Sequence, residues 1–181
     1  MTLVTITDPR SPASEAYRTL RTNLSFYSLD KSLRTLVVTS PAAGEGKSTT
    51  IANLAVTMAQ SGRRTILVDT DLRRPTLHEL FGAQMSPGLT DAIMAEAGDL
   101  PLQKTAVENL WLLSSGSKPP NPADMLGAAR MEQIIAQLAE QADIVLFDAP
   151  PVMAAADAAI LGSRVDGVLL VIQAGKTRRD Q

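Results

Sequence analysis

Ser40–Thr50 reads SPAAGEGKSTT, and an apolar run, Thr35–Ser40, leads straight into it. A β-branched strand pattern, a small glycine-containing turn and a helical pattern starting at Lys47 or Ser48 together form a phosphate-holding layout. Backbone N–H groups of Gly44, Gly46 and the first helical turn would converge on phosphate oxygens, and the helix dipole favours that negative charge. Glycine suits the turn because a Cβ would block close backbone approach or forbid positive φ. The expected nucleotide-binding residues are Ala43, Gly44, Glu45, Gly46, Lys47, Ser48 and Thr49. Lys47 would reach the β- and γ-phosphates, and the Ser48 hydroxyl would ligate magnesium. The first glycine of GxxxxGK(S/T) is replaced by Pro41, so only the later part of the pattern is met. A glycine-rich turn with a surface lysine is the bland alternative. The strand before, the helix after and the intact GKST argue against it.

The rest of the chain repeats this strand–helix alternation. Thr65–Asp69, Leu110–Ser114, Asp143–Asp148 and Gly167–Gln173 are short, nearly continuous apolar runs, the pattern of strands buried on both faces. Between them Ser48–Ser61 and Asp124–Gln141 have helical spacing; in the second, Met125, Met131, Ile134, Ile135 and Leu138 recur mostly at three- and four-residue steps. The expected fold is α/β: a P-loop NTPase with a three-layer arrangement, a parallel β-sheet flanked by helices on both faces. The 181 residues fit one domain. Met1–Leu29 forms a helical extension ahead of it, in which Ala16, Tyr17, Leu20 and Leu24 share a face and Glu15, Arg18 and Arg21 lie on the other side.

Two further strand ends carry acids. Thr65–His78, TILVDTDLRRPTLH, ends a strand in Asp69 and Asp71, spaced to point the same way. Parallel sheets present such strand ends to ligands, where two carboxylates can hold a metal's water shell or take a proton from an attacking hydroxyl. Arg73 and Arg74 could neutralise developing phosphate charge. Ala142–Val152, ADIVLFDAPPV, ends in Asp148 before a Pro-Pro stop, where this nucleotide-binding class usually places its magnesium partner. The catalytic set is therefore Lys47, Asp69, Asp71 and Asp148, and the metal set Ser48, Asp69, Asp71 and Asp148.

Composition excludes other classes. There is no cysteine, so disulfides play no part. A net charge of -2 and six aromatic residues (Trp 1, Tyr 2, Phe 3) suit neither phosphate-backbone binding nor base stacking, so no nucleic acid is expected as a partner. No apolar run approaches a membrane span, and Met1–Arg10 lacks a signal-peptide core, so the chain reads as cytoplasmic.

With these motifs in hand, the chain resembles the cytoplasmic catalytic domain of bacterial tyrosine kinases that regulate capsule and exopolysaccharide production. The resemblance runs from SPASEAYRTLRTNL (Ser11–Leu24) through GEGKSTT, ILVDTDLRRPTLH, NLWLLSSGSKPPNP and FDAPPV to DGVLLVIQAGKT (Asp166–Thr177). It implies ATP/ADP and Mg2+ as cofactors, with γ-phosphoryl transfer to the tyrosine of a protein substrate and Asp69 activating the hydroxyl. It implies that Glu15, Arg18 and Arg21 match a Glu-x-x-Arg-x-x-Arg oligomer-interface motif, giving homo-oligomeric rings that phosphorylate in trans. It also implies an activating segment from a membrane-spanning co-polymerase partner or fused domain, and a peripheral location at the inner membrane face. Such kinases continue with a further helix, a strand and a tyrosine-rich tail; these are expected to be absent here, where Tyr17 and Tyr27 are the tyrosines. Two other readings compete: a partitioning or septum-site switch ATPase, and a non-catalytic ATP-binding scaffold. The first class carries a lysine five residues before the P-loop lysine, where this chain has Ala42.

Overall fold

The computed structural model describes residues 3–27, 33–95 and 97–178. Six strands form one sheet: β1 (Thr35–Thr39), β2 (Thr65–Asp69), β3 (Gln103–Lys104), β4 (Leu110–Leu113), β5 (Ile144–Asp148) and β6 (Gly167–Leu170). Their spatial order is β3-β4-β2-β5-β1-β6. All neighbours pair parallel except β3, which runs antiparallel to β4 at one edge. Two polar residues carry no periodicity, so this edge strand was not foreseen.

The continuous apolar runs follow from burial on both faces. Along each strand, side chains alternate between two cores. Val37, Ile66, Val68, Leu113, Val145 and Phe147 enter one core, together with Leu89, Leu126, Met131, Ile134, Leu138 and Leu161. Those partners come from α5 (Leu89–Met94), α6 (Pro122–Gly127), α7 (Ala129–Gln141) and α8 (Asp157–Gly162). Leu36, Val38, Leu67, Leu112, Ile144 and Leu146 enter the other, against Ile51, Leu54, Met58 and Leu77. That face is covered by α3 (Lys47–Gln60) and α4 (Leu77–Phe81), with α2 (Pro12–Tyr27) lying over α3 and α1 (Val4–Thr7) beside both.

Two helices differ from expectation. The pattern over Asp124–Gln141 is two helices, because Ala128 is extended (φ -65°, ψ 150°). The Arg164 guanidinium donates to the carbonyls of Leu126, Gly127 and Ala128, so the early helix end is satisfied rather than left open. In α2, Leu20 and Leu24 pack inward as the spacing predicts, but Ala16 is exposed and Ser14 is buried instead. The inner face is therefore rotated toward Arg21. Leu29, in the predicted extension, lies outside the described residues.

Candidate active site

The sheet's parallel core brings β1, β2 and β5 to a common end: Val38 and Asp69 both pair with Asp148. The loop after β1 turns on Gly44 (φ 81°) and Gly46 (φ 86°). A Cβ at either would meet open space, so it is the left-handed backbone, not crowding, that requires glycine there. Gly46 is the N-cap of α3 and supplies no side-chain cap, which leaves the first N–H groups of a fourteen-residue helix available to an anion. Around this loop lies a cleft of about 410 Å³.

Lys47 is the electrostatic centre. Its Nζ lies 2.7 Å from Asp148 Oδ1, 3.1 Å from Ser48 Oγ and 3.5 Å from Asp71 Oδ2. Asp148 is fully buried and its Oδ2 has no partner among the described residues. Burial raises its pKa, against the pull of Lys47 and Ser48. Asp69 is also fully buried; its Oδ2 accepts the N–H groups of Thr76 (3.1 Å) and Leu77 (3.0 Å), while Oδ1 is unpartnered. Burial first, and the neighbouring Asp148 second, push its pKa up to about 8. Asp71 Oδ1 accepts the Arg74 N–H at 3.0 Å.

The expected residues therefore fall into groups. Ala43, Gly44, Gly46, Lys47, Ser48, Thr49 and Asp71 border the cleft directly. Asp69 and Asp148 sit beneath its floor with no exposed surface. Glu45 turns away: its carboxylate accepts the Ala42 N–H (2.9 Å) and the Thr177 hydroxyl, bonds that hold its pKa below the ordinary value. It braces the loop rather than lining the cleft. Arg73 does not face the cleft either. Its Nε and Nη2 grip both oxygens of fully buried Asp157 at 3.0 and 3.1 Å, and this pairing raises the arginine's pKa further. Glu15, Arg18 and Arg21 lie on α2. There Arg18 pairs with Glu15 and donates to the Pro9 carbonyl, while Arg21 donates to the Thr57 carbonyl of α3 at 3.0 Å.

Arg74, read above with Arg73 as able to neutralise phosphate charge, does border the cleft, as do five residues not singled out as site candidates: Ser40, Thr76, Glu79, Leu80 and Pro151. Asp157 was missed as well, although a lone acid inside AAADAAI is a readable signal, since a carboxylate in an apolar run needs a partner.

The donor set fits a divalent cation. Asp69 Oδ1 and Asp148 Oδ2 are buried and lack partners among the described residues, the Ser48 hydroxyl lies by Asp148, and hard oxygen ligands are what magnesium takes. Among the described residues no three acidic or histidine side chains converge into a complete metal site, so phosphate oxygens and water would have to complete the shell.

A glycine loop opening a helix, with its lysine held by strand-end aspartates at the head of a parallel sheet, defines a P-loop nucleotide-binding domain. Residues 36–164 match the family described as the CobQ/CobB/MinD/ParA nucleotide binding domain. Within that class, the chain belongs to the bacterial tyrosine-protein kinase family. It is 43% identical over 180 residues to the tyrosine-protein kinase YwqD of Bacillus subtilis, covering 99% of this chain and 76% of that one. The kinase domain of Escherichia coli tyrosine kinase ETK superposes with a TM-score of 0.92 at 31% identity, covering 97% of this chain and 69% of that one. The chimerical protein CapA2B2 superposes with a TM-score of 0.93 at 34% identity, covering 98% and 79%.

Proposed function

We propose that this chain transfers the γ-phosphoryl group of magnesium-bound ATP to a tyrosine hydroxyl, in the control of capsule or exopolysaccharide production. The observation that carries the reading is Lys47, shared between Asp148 and Asp71 beside two unpartnered carboxylate oxygens, at the mouth of a phosphate loop. Lys47 and the loop N–H groups bind the phosphates. Ser48, Asp71 and Asp148 hold the cation, with Asp69 beside them. Magnesium, when bound, neutralises charge on the phosphate oxygens. A divalent cation beside Asp69 would favour its ionised form, and the carboxylate then takes the tyrosine proton through Oδ1. Little covalent work is asked of the protein; positioning and charge neutralisation carry the reaction.

The kinase works as a ring of copies phosphorylating in trans, with Glu15, Arg18 and Arg21 at the interface. It acts at the inner membrane face through a membrane-spanning activator. No helix of the described residues is long and apolar enough to cross a membrane, so attachment of this part falls to a partner or another segment. Because Arg21 already anchors α2 to α3, Arg18→Ala is the cleaner interface variant; light scattering should show a shift toward monomer, and an unchanged mass would remove the interface assignment.

The deciding experiment incubates the chain with radiolabelled ATP, magnesium and a tyrosine peptide, with Lys47→Met as control. Label on tyrosine establishes the kinase. Label appearing only as free phosphate supports the switch-ATPase reading that shares this fold, and ATP binding without turnover supports the scaffold.

A further inference from the structure

Arg73 and Arg74 leave the turn after β2 with the same charge and different fates. Arg73 closes a two-point grip on buried Asp157. Arg74 is exposed, borders the cleft with Lys47, Thr76 and Glu79, and its guanidinium makes no hydrogen bond or ion pair with any described residue. Its position is nonetheless fixed at the backbone. The Arg74 N–H donates to Asp71 Oδ1 at 3.0 Å, and the other oxygen of Asp71 faces Lys47 Nζ at 3.5 Å. One carboxylate thus ties the backbone of Arg74 to the lysine that holds the phosphates.

The charge balance of the cleft gives that guanidinium a task. Lys47 is the cation already in place, and Asp71, Asp148 and Asp69 stand around it. A triphosphate adds negative charge to this set, and transfer spreads charge over the three equatorial oxygens of the phosphoryl group. A planar guanidinium can meet two of those oxygens at once, which an ammonium cannot. An arginine that stabilised the fold would have a partner in the ligand-free chain, as Arg73 has.

From this contrast, and resting on the kinase reading above, we infer that Arg74 binds the phosphoryl group in transit, acting as an arginine supplied by the same chain. As the bond from γ-phosphorus to the ADP oxygen breaks and the bond to the tyrosine oxygen forms, Arg74 donates to the equatorial oxygens. The tyrosine proton goes to Asp69, and ADP leaves with the bonding pair.

The test compares Arg74→Ala, Arg74→Lys and Arg73→Ala in the same chain. Arg74→Ala should leave the thermal midpoint unchanged and lower kcat about 10³-fold with little change in the KM for ATP, whereas Arg74→Lys should recover only part of that loss. Affinity for ADP with magnesium should persist, while the extra affinity for ADP with aluminium fluoride, a mimic of the phosphoryl group in flight, should be lost by a similar factor. Unchanged kcat overturns the inference. So does a loss confined to the KM for the acceptor peptide, which would make Arg74 a docking residue, and so does an equal loss of ADP affinity. If wild-type chain transfers nothing to tyrosine yet traps ADP with aluminium fluoride, the kinase reading fails and the Arg74 inference is judged on that trapping alone.

Discussion

Carboxylates stand at both ends of the sheet, and the two ends treat them in opposite ways. Beside the start of β1, exposed Asp166, the residue before β6, accepts from the N–H groups of Arg34 (2.9 Å) and Thr35 (2.8 Å) and from the Thr35 hydroxyl (2.8 Å), all at Oδ2. Beside the start of β2, exposed Asp143, the residue before β5, takes the Arg64 N–H at 2.7 Å. At the other end Asp69 and Asp148 are fully buried, yet each keeps one oxygen unanswered. Water could have served the exposed pair; nothing among the described residues serves the buried pair fully. A carboxylate satisfied within the chain is accounted for by the fold, whereas one buried with an oxygen unanswered calls for an explanation beyond it, which the proposed function supplies as a bound cation.

The sharpest way to break this contrast is Lys47→Met. It removes the cation on which the buried carboxylates depend, and turnover should fall by about 10³-fold or more in the labelled-ATP assay. The next effect is one of pH. Asp69 has a pKa near 8 in the folded chain against an ordinary 3.8, so between those values the folded state keeps a proton that the unfolded state releases. Its contribution therefore makes the ligand-free chain less stable as pH rises through that window. Asp69→Asn should flatten the corresponding slope of the thermal midpoint; an unchanged slope would mean that Asp69 is ionised throughout.

Arg73→Ala asks whether a satisfied carboxylate at the cleft end behaves as fold. It strands Asp157, and since the arginine is itself partly exposed, a loss of about 2–3 kcal/mol in chemical denaturation is expected. The smallest effect lies at the opposite end. For Asp166, burial would raise the pKa, but the bonds from Arg34 and Thr35 outweigh it and hold it below the ordinary value. The stabilisation is present above that ordinary value and disappears as pH falls through the folded one. Asp166→Asn should cost about 1 kcal/mol at neutral pH, discounted for solvent exposure, and nothing measurable in strong acid.

These regions were unequally legible. β1, β2 and β5 could be read because burial on both faces demands unbroken apolar residues, and the phosphate loop because positive φ demands glycine at Gly44 and Gly46. The short helices α4, α5 and α8 run five or six residues, too few for a helical period to show. The divergence of Arg73 from Arg74 could not be read at all, since Asp157 lies 84 residues away and only the folded chain brings it to one of two equivalent arginines. Helix α2 misled for a related reason. Its apolar stripe is narrow, so a bond from Arg21 to the end of α3 could rotate the buried face without exposing much.

In the cleft one ammonium, that of Lys47, is the shared counter-charge of two carboxylates, Asp71 and Asp148. A nucleotide that draws Lys47 to its phosphates strips both acids of their counter-charge while adding anionic oxygens of its own. Nucleotide binding and divalent-cation binding are then two sides of one thermodynamic cycle with favourable coupling, each raising the affinity for the other by the same factor. On the proposed function, nucleotide alone would meet a cleft that resists it, and the lysine assigned to phosphate would also let the chain discriminate between metal-bound and bare ATP.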